Sequence, residues 1–182
     1  PSLDEAGHAP LRPDETLMDR AGIPRRLPRY FFEVDWWQTA LNTNVVEHFT
    51  LSELMGVDVR EAQQLRLFPR YVPCTVSLLA AHLELLRQTV GTFVHIAANG
   101  GYRSPAHRLT DYASPHCWGT AANIYRIGDE LLDTPERIEK YTRIVNRILP
   151  AVWVRPYGHD KGNADDHLHI DVGYTLLEPR LD

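Results

Sequence analysis

The chain has 182 residues, 43% of them hydrophobic, which suffices for one domain with its own core and leaves no room for two of ordinary size. A net charge of −5 argues against the basic face that a nucleic-acid binder uses. No apolar run is long enough to span a bilayer, the first residues lack the pattern of a signal peptide, and two cysteines are too few for a disulfide framework.

Residues 1–30 are polar and carry Pro10, Pro13, Pro24 and Pro28, so they read as an extended arm or linker, with 31–182 as the single domain. The segment 31–41, with Trp36 and Trp37, is apolar enough to dock on a core. Residues 49–54 read as a short helix capped by Thr50 or Ser52. A longer helix is predicted over 73–88, where Leu78, Leu79, His82, Leu83, Leu85 and Leu86 recur at helical spacing. Pro73 suits its start, Gly91 its stop, and His82 falls on its apolar face as a satisfied core histidine.

Residues 92–98 alternate like a strand until Asn99-Gly100-Gly101 breaks the pattern. A second strand is expected over 121–127. Thr134-Pro135-Glu136 opens a helix that runs to about Ile148 and stops before Pro150. Strands over 151–155 and 167–172 complete the chain, separated by a polar loop at 157–163. This order predicts an α+β fold: a small, mostly antiparallel sheet with helices packed on it.

Two segments concentrate the chemistry. One holds Ser114, His116, Cys117, Gly119 and Asn123; the other holds Asp165, Asp166, His167, His169 and Asp171. Residues two apart in a strand share a face, so His167, His169 and Asp171 form one row, and Ala121, Asn123 and Tyr125 another. If those strands are neighbours, Asn123 meets the histidines, and His116, in the turn before the first strand, closes the set. Zinc in a hydrolytic site takes three protein ligands and leaves one place for water. His116 and His169 suit it, while Asn123 offers only a neutral amide oxygen. Gly119 suits a turn with positive φ, and Trp118 suits packing. Cys74 and Cys117 read as two buried thiols, with a bridge between them left open. His8, His48, His82, His95, His107 and His159 have no comparable company.

Three blocks together resemble the M15 peptidases: Gly101-Tyr102-Arg103-Ser104-Pro105-Ala106-His107, then Ser114, His116, Gly119, Ala121 and Asn123, then Asp166 and His169. That family includes zinc D-Ala-D-Ala carboxypeptidases and L-Ala-D-Glu endopeptidases of peptidoglycan, and it shares its fold with the hedgehog signalling domain. The resemblance spans about residues 45–175. It implies zinc as cofactor, with His116 and His169 as ligands and Asn123 where the family has an aspartate ligand. It further implies Asp166 as general base, Arg103 steadying the substrate carbonyl, Ser114 near the substrate and His167 beside the metal.

Two expectations follow. The chain is a zinc-dependent peptidase acting on peptidoglycan stem peptides, or it is a non-catalytic relative that has lost its metal and binds a cell-wall or protein ligand. No nucleic-acid partner and no transmembrane segment are expected. The compartment stays open, extracytoplasmic or envelope-associated if the substrate is cell wall.

Overall fold

The computed structural model describes residues 9–159 and 165–180. Residues 1–8 of the arm, His8 among them, and 160–163 of the polar loop lie outside the described residues.

The fold is α+β. Its central sheet contains β1 (Val94–Ile96), β2 (Ala121–Ile127), β3 (Glu130–Leu131), β4 (Trp153–Val154) and β5 (Leu168–Asp171). The strands lie in the order β4-β5-β2-β1, with β3 also pairing with β2, and every pairing is antiparallel. Two long helices, α1 (Val76–Val90) and α2 (Pro135–Ile148), contribute to the main core. Leu79, Leu83 and Leu86 of α1 join Ile138 and Val145 of α2 in one cluster with Ala122, Ile124, Leu168 and Ile170 of the sheet. These sheet residues alternate with Asn123 and His169, so burying one face presents the other.

The ends of the helices follow local chemistry. Gly91 closes α1 in the left-handed region at φ +66°, and its N–H bonds the carbonyl of Arg87. Thr134 precedes Pro135 at the start of α2, and its hydroxyl accepts from the N–H of Arg137. The short helix Leu51–Leu54 starts at Thr50, whose backbone N–H and hydroxyl both donate to the Glu53 carboxylate.

Two local expectations are corrected, and a third is refined. Helix α1 starts at Val76, because Arg70–Pro73 is extended and pairs with Phe31–Val34. Segment 31–41 docks on the main core as expected, through Val34 and Ala40, while Trp36 and Trp37 stay 70% and 42% exposed. His82 is half-buried rather than core, with Nδ1 bonded to the carbonyl of Leu78.

Within the described part of the first thirty residues, a hairpin of Thr16–Met18 and Pro24–Arg26 lies against the segment that precedes β2. Leu27 packs with Ala113, Cys117 and Trp118 in a second small core, and the Trp118 indole N–H donates to the carbonyl of Arg26. No helix among the described residues is long and apolar enough to cross a membrane.

Candidate functional site

Strand register builds the site. β5 pairs with β2 so that His169 stands directly opposite Asn123. His169 Nδ1 lies 2.8 Å from Asn123 Oδ1. Two residues on, Asp171 shares the face of His169, and its Oδ2 lies 2.9 Å from His169 Nε2.

His116 arrives from the turn of 3₁₀ helix Pro115–Trp118, which Gly119 ends at φ +68°. The turn delivers the imidazole to the open face of the sheet: its ring centroid lies 5.2 Å from that of His169. His116 is buried, and its Nδ1 donates to the carbonyl of Gly101 at 2.8 Å. Only glycine fits at 101, because a Cβ there would run into the backbone carbonyl of Leu54. Burial, reinforced by the nearby positive Arg103 and by His169, holds His116 well below the ordinary imidazole range. The ring is therefore neutral, with its proton on Nδ1 and a lone pair on Nε2.

Arg103 is only 9% exposed, its backbone N–H donates to the carbonyl of His116, and its guanidinium Nε has no hydrogen-bond partner among the described residues. Burial lowers its pKa, though an arginine keeps its charge at neutral pH. The neighbouring Ser104 is clamped by buried Glu61, whose two carboxylate oxygens accept from the Ser104 hydroxyl and N–H.

His167 falls in the bend just before β5, not inside the strand, so it does not continue the row of His169 and Asp171. Its Nδ1 donates to Asp166 Oδ1 at 2.8 Å, and Arg155 Nη2 approaches its Nε2 at 3.3 Å. Burial lowers the His167 pKa more than the Asp166 hydrogen bond raises it. The same bend frees Asp166 from strand alternation, and its side chain is 70% exposed. Arg103, Ser114, His116, Asn123, Asp166, His167, His169 and Asp171 all line one open groove of about 830 Å³.

Both cysteines are free and buried, so no bridge joins them. Burial pushes the Cys117 thiol up to about 11, which leaves it protonated and unsuited to be a nucleophile or a ligand at neutral pH.

The residue types His116, Asn123 and His169 suit a divalent cation of the zinc type. Each histidine has one ring nitrogen held by an oxygen acceptor, the Gly101 carbonyl or the Asp171 carboxylate, which is the outer arrangement that metal-bound imidazoles have. The other ligand-type atoms are His116 Nε2 and the pair His169 Nδ1 and Asn123 Oδ1, which lie 2.8 Å apart. A second group could also hold a metal: Glu47, His48 and Glu84 place ligand atoms within 4.8 Å of one another. Sequence reading missed it because Glu84 lies 36 residues from His48 and joins it only through the fold. No protein-family model, curated protein or solved structure matches this chain.

Proposed function

We propose that the groove is the active site of a zinc-dependent peptidase that cleaves peptide bonds of peptidoglycan stem peptides. The observation that carries this reading is the paired restraint on His116 and His169: each has one ring nitrogen on an outer oxygen acceptor, and the other nitrogen of His169 faces Asn123 Oδ1. His116, Asn123 and His169 would hold the ion; when bound, zinc supplies a Lewis acid and makes water a nucleophile near neutral pH.

The chain's own residues supply the rest. Asp166 Oδ1 is occupied by the His167 N–H, which leaves Oδ2 at the groove's edge to take a proton from the attacking water. His167 thereby orients the base. Arg103 brings a guanidinium to the groove wall, suited to the oxygen of a scissile carbonyl as negative charge grows on it. Because the surrounding chain already holds Arg103, little reorganisation is needed when that charge forms. Ser114, at the mouth of the His116 turn, can hydrogen-bond the peptide backbone. Such a substrate would put the protein's work outside the cytoplasm.

One observation favours a second reading, a non-catalytic groove that binds a cell-wall peptide or protein. Asn123 is neutral, and a carboxylate at that place would hold a dication far more strongly. Muropeptide digestion followed by mass spectrometry separates the two. Cleavage that a chelator abolishes and zinc restores supports the peptidase. Intact muropeptides that still bind, with no cleavage at any zinc level, would establish the second reading.

A further inference from the structure

We infer that Asp171 is a positioning residue: it fixes which nitrogen of His169 faces a cation and supplies the negative charge that Asn123 lacks. This rests on the metal reading proposed above.

Asp171 is 6% exposed, and both of its oxygens are engaged. Oδ2 lies 2.9 Å from His169 Nε2, and Oδ1 accepts the N–H of Gly173 at 2.8 Å. The segment that carries it is fastened in turn. The N–H of Val172 donates to the carbonyl of Thr120, the Thr120 hydroxyl donates to the carbonyl of Gly173, and the Thr120 N–H donates to the carbonyl of Pro115. Thr120 follows the turn that bears His116, so both histidines are referenced to one anchor.

A carboxylate accepts hydrogen bonds and does not donate them, so Nε2 of His169 must carry the proton that Asp171 receives. The lone pair is then on Nδ1, the nitrogen that faces Asn123 across the strand pair. The amide of Asn123 has nearly the same shape in both orientations. In the structure its oxygen faces Nδ1 at 2.8 Å, the orientation that offers oxygen to a cation; turned over, it would give its NH₂ to the Nδ1 lone pair.

Charge follows the same geometry. Two imidazoles and an amide make a neutral ligand set, and Asp171 puts a full negative charge directly behind one of the rings. Such a partner raises the basicity of the imidazole and holds the ring in orientation, and its loss weakens metal binding by about 10–100-fold.

The test is Asp171→Asn in the full chain. The amide keeps the shape and can still accept from Gly173, but it then presents NH₂ to His169 Nε2. That moves the ring proton to Nδ1, where it donates to Asn123 Oδ1, and the nitrogen that faced the cation is lost. Two readouts are needed. In metal-free protein at pH 8, ¹⁵N NMR of the imidazoles should find the His169 proton on Nε2 in the parent and on Nδ1 in the variant. Zinc competition against a chromophoric chelator should find affinity lower by about 10–100-fold. In an Asn123→Asp background the loss should shrink, since the ligand set then carries its own charge.

A proton on Nδ1 of the parent, or an unchanged tautomer in Asp171→Asn, would overturn the positioning role. An undiminished loss in the Asn123→Asp background would overturn the charge role. A parent that binds no zinc yet shows the tautomer switch would sink the peptidase reading and leave Asp171's positioning role standing.

Discussion

Two clusters in this protein bring imidazole and carboxylate together, and they differ in what they leave unsatisfied. At Glu47, His48 and Glu84, the Glu84 carboxylate accepts from both His48 Nδ1 and the His48 backbone N–H, and Gln88 adds a third, longer contact. The cluster is closed on itself and ties the turn after Asn44–Val46 to helix α1. At His116, Asn123 and His169, which line the groove, each ring spends one nitrogen on an outer acceptor, and the other nitrogen of His169 faces Asn123. Closeness of three ligand-type atoms is met in the first cluster; an outer oxygen acceptor on each imidazole is met in the second. The proposed function rests on the second property, which metal-bound imidazoles have.

The largest effect expected from this contrast is on zinc. His116→Ala or His169→Ala should abolish zinc binding, whereas His48→Ala should leave the stoichiometry unchanged, as read by elemental analysis. Asn123→Asp comes next: it adds a negative charge where the dication would sit and should tighten zinc at least tenfold, about 1.4 kcal/mol. Competition titration reads that change.

The closed cluster should answer in stability instead. Glu84→Gln is expected to cost about 1–3 kcal/mol in urea unfolding at pH 7, through loss of charge-assisted hydrogen bonds to a buried carboxylate. Burial pushes the Glu84 pKa up, but the hydrogen bonds from the side chain and backbone of His48 outweigh it, and the net shift is downward. A lowered carboxylate pKa contributes stability that is present above the ordinary value of 4.5 and lost as pH falls through the folded-state value. The gap between parent and Glu84→Gln should therefore narrow below pH 4.5. A gap that widens there would contradict the assignment.

The smallest effect concerns Cys117, one residue from His116. With its thiol pushed up to about 11 and buried, native protein should give no rapid reaction with Ellman's reagent at pH 8, and unfolded protein should give two thiols per chain.

How much could be read in advance depended on the range of each signal. Helix α2 was legible to its first residue because Thr134 and Pro135 mark its start locally. The start of α1 was not, because Pro73 belongs to a strand paired with Phe31, a partner distant in sequence. The docking of segment 31–41 was legible from its apolar content, but not that Val34 and Ala40 would carry it and leave Trp36 and Trp37 outside. Within the groove, alternation was enough to bring Asn123 opposite His169 and to put Asp171 on the same face. It could not show that His167 sits in a bend, nor that Asp171 bonds His169, nor that Glu84 reaches back to His48. Those depend on where the backbone turns and on contacts between distant segments, which periodicity does not encode.

The most direct measurement is zinc per chain in protein purified without chelator and dialysed against trace zinc, run beside His116→Ala and His48→Ala. The account requires close to one zinc in the parent, close to one in His48→Ala and none in His116→Ala. A parent without zinc, or zinc that survives in His116→Ala and disappears with His48→Ala, would contradict it.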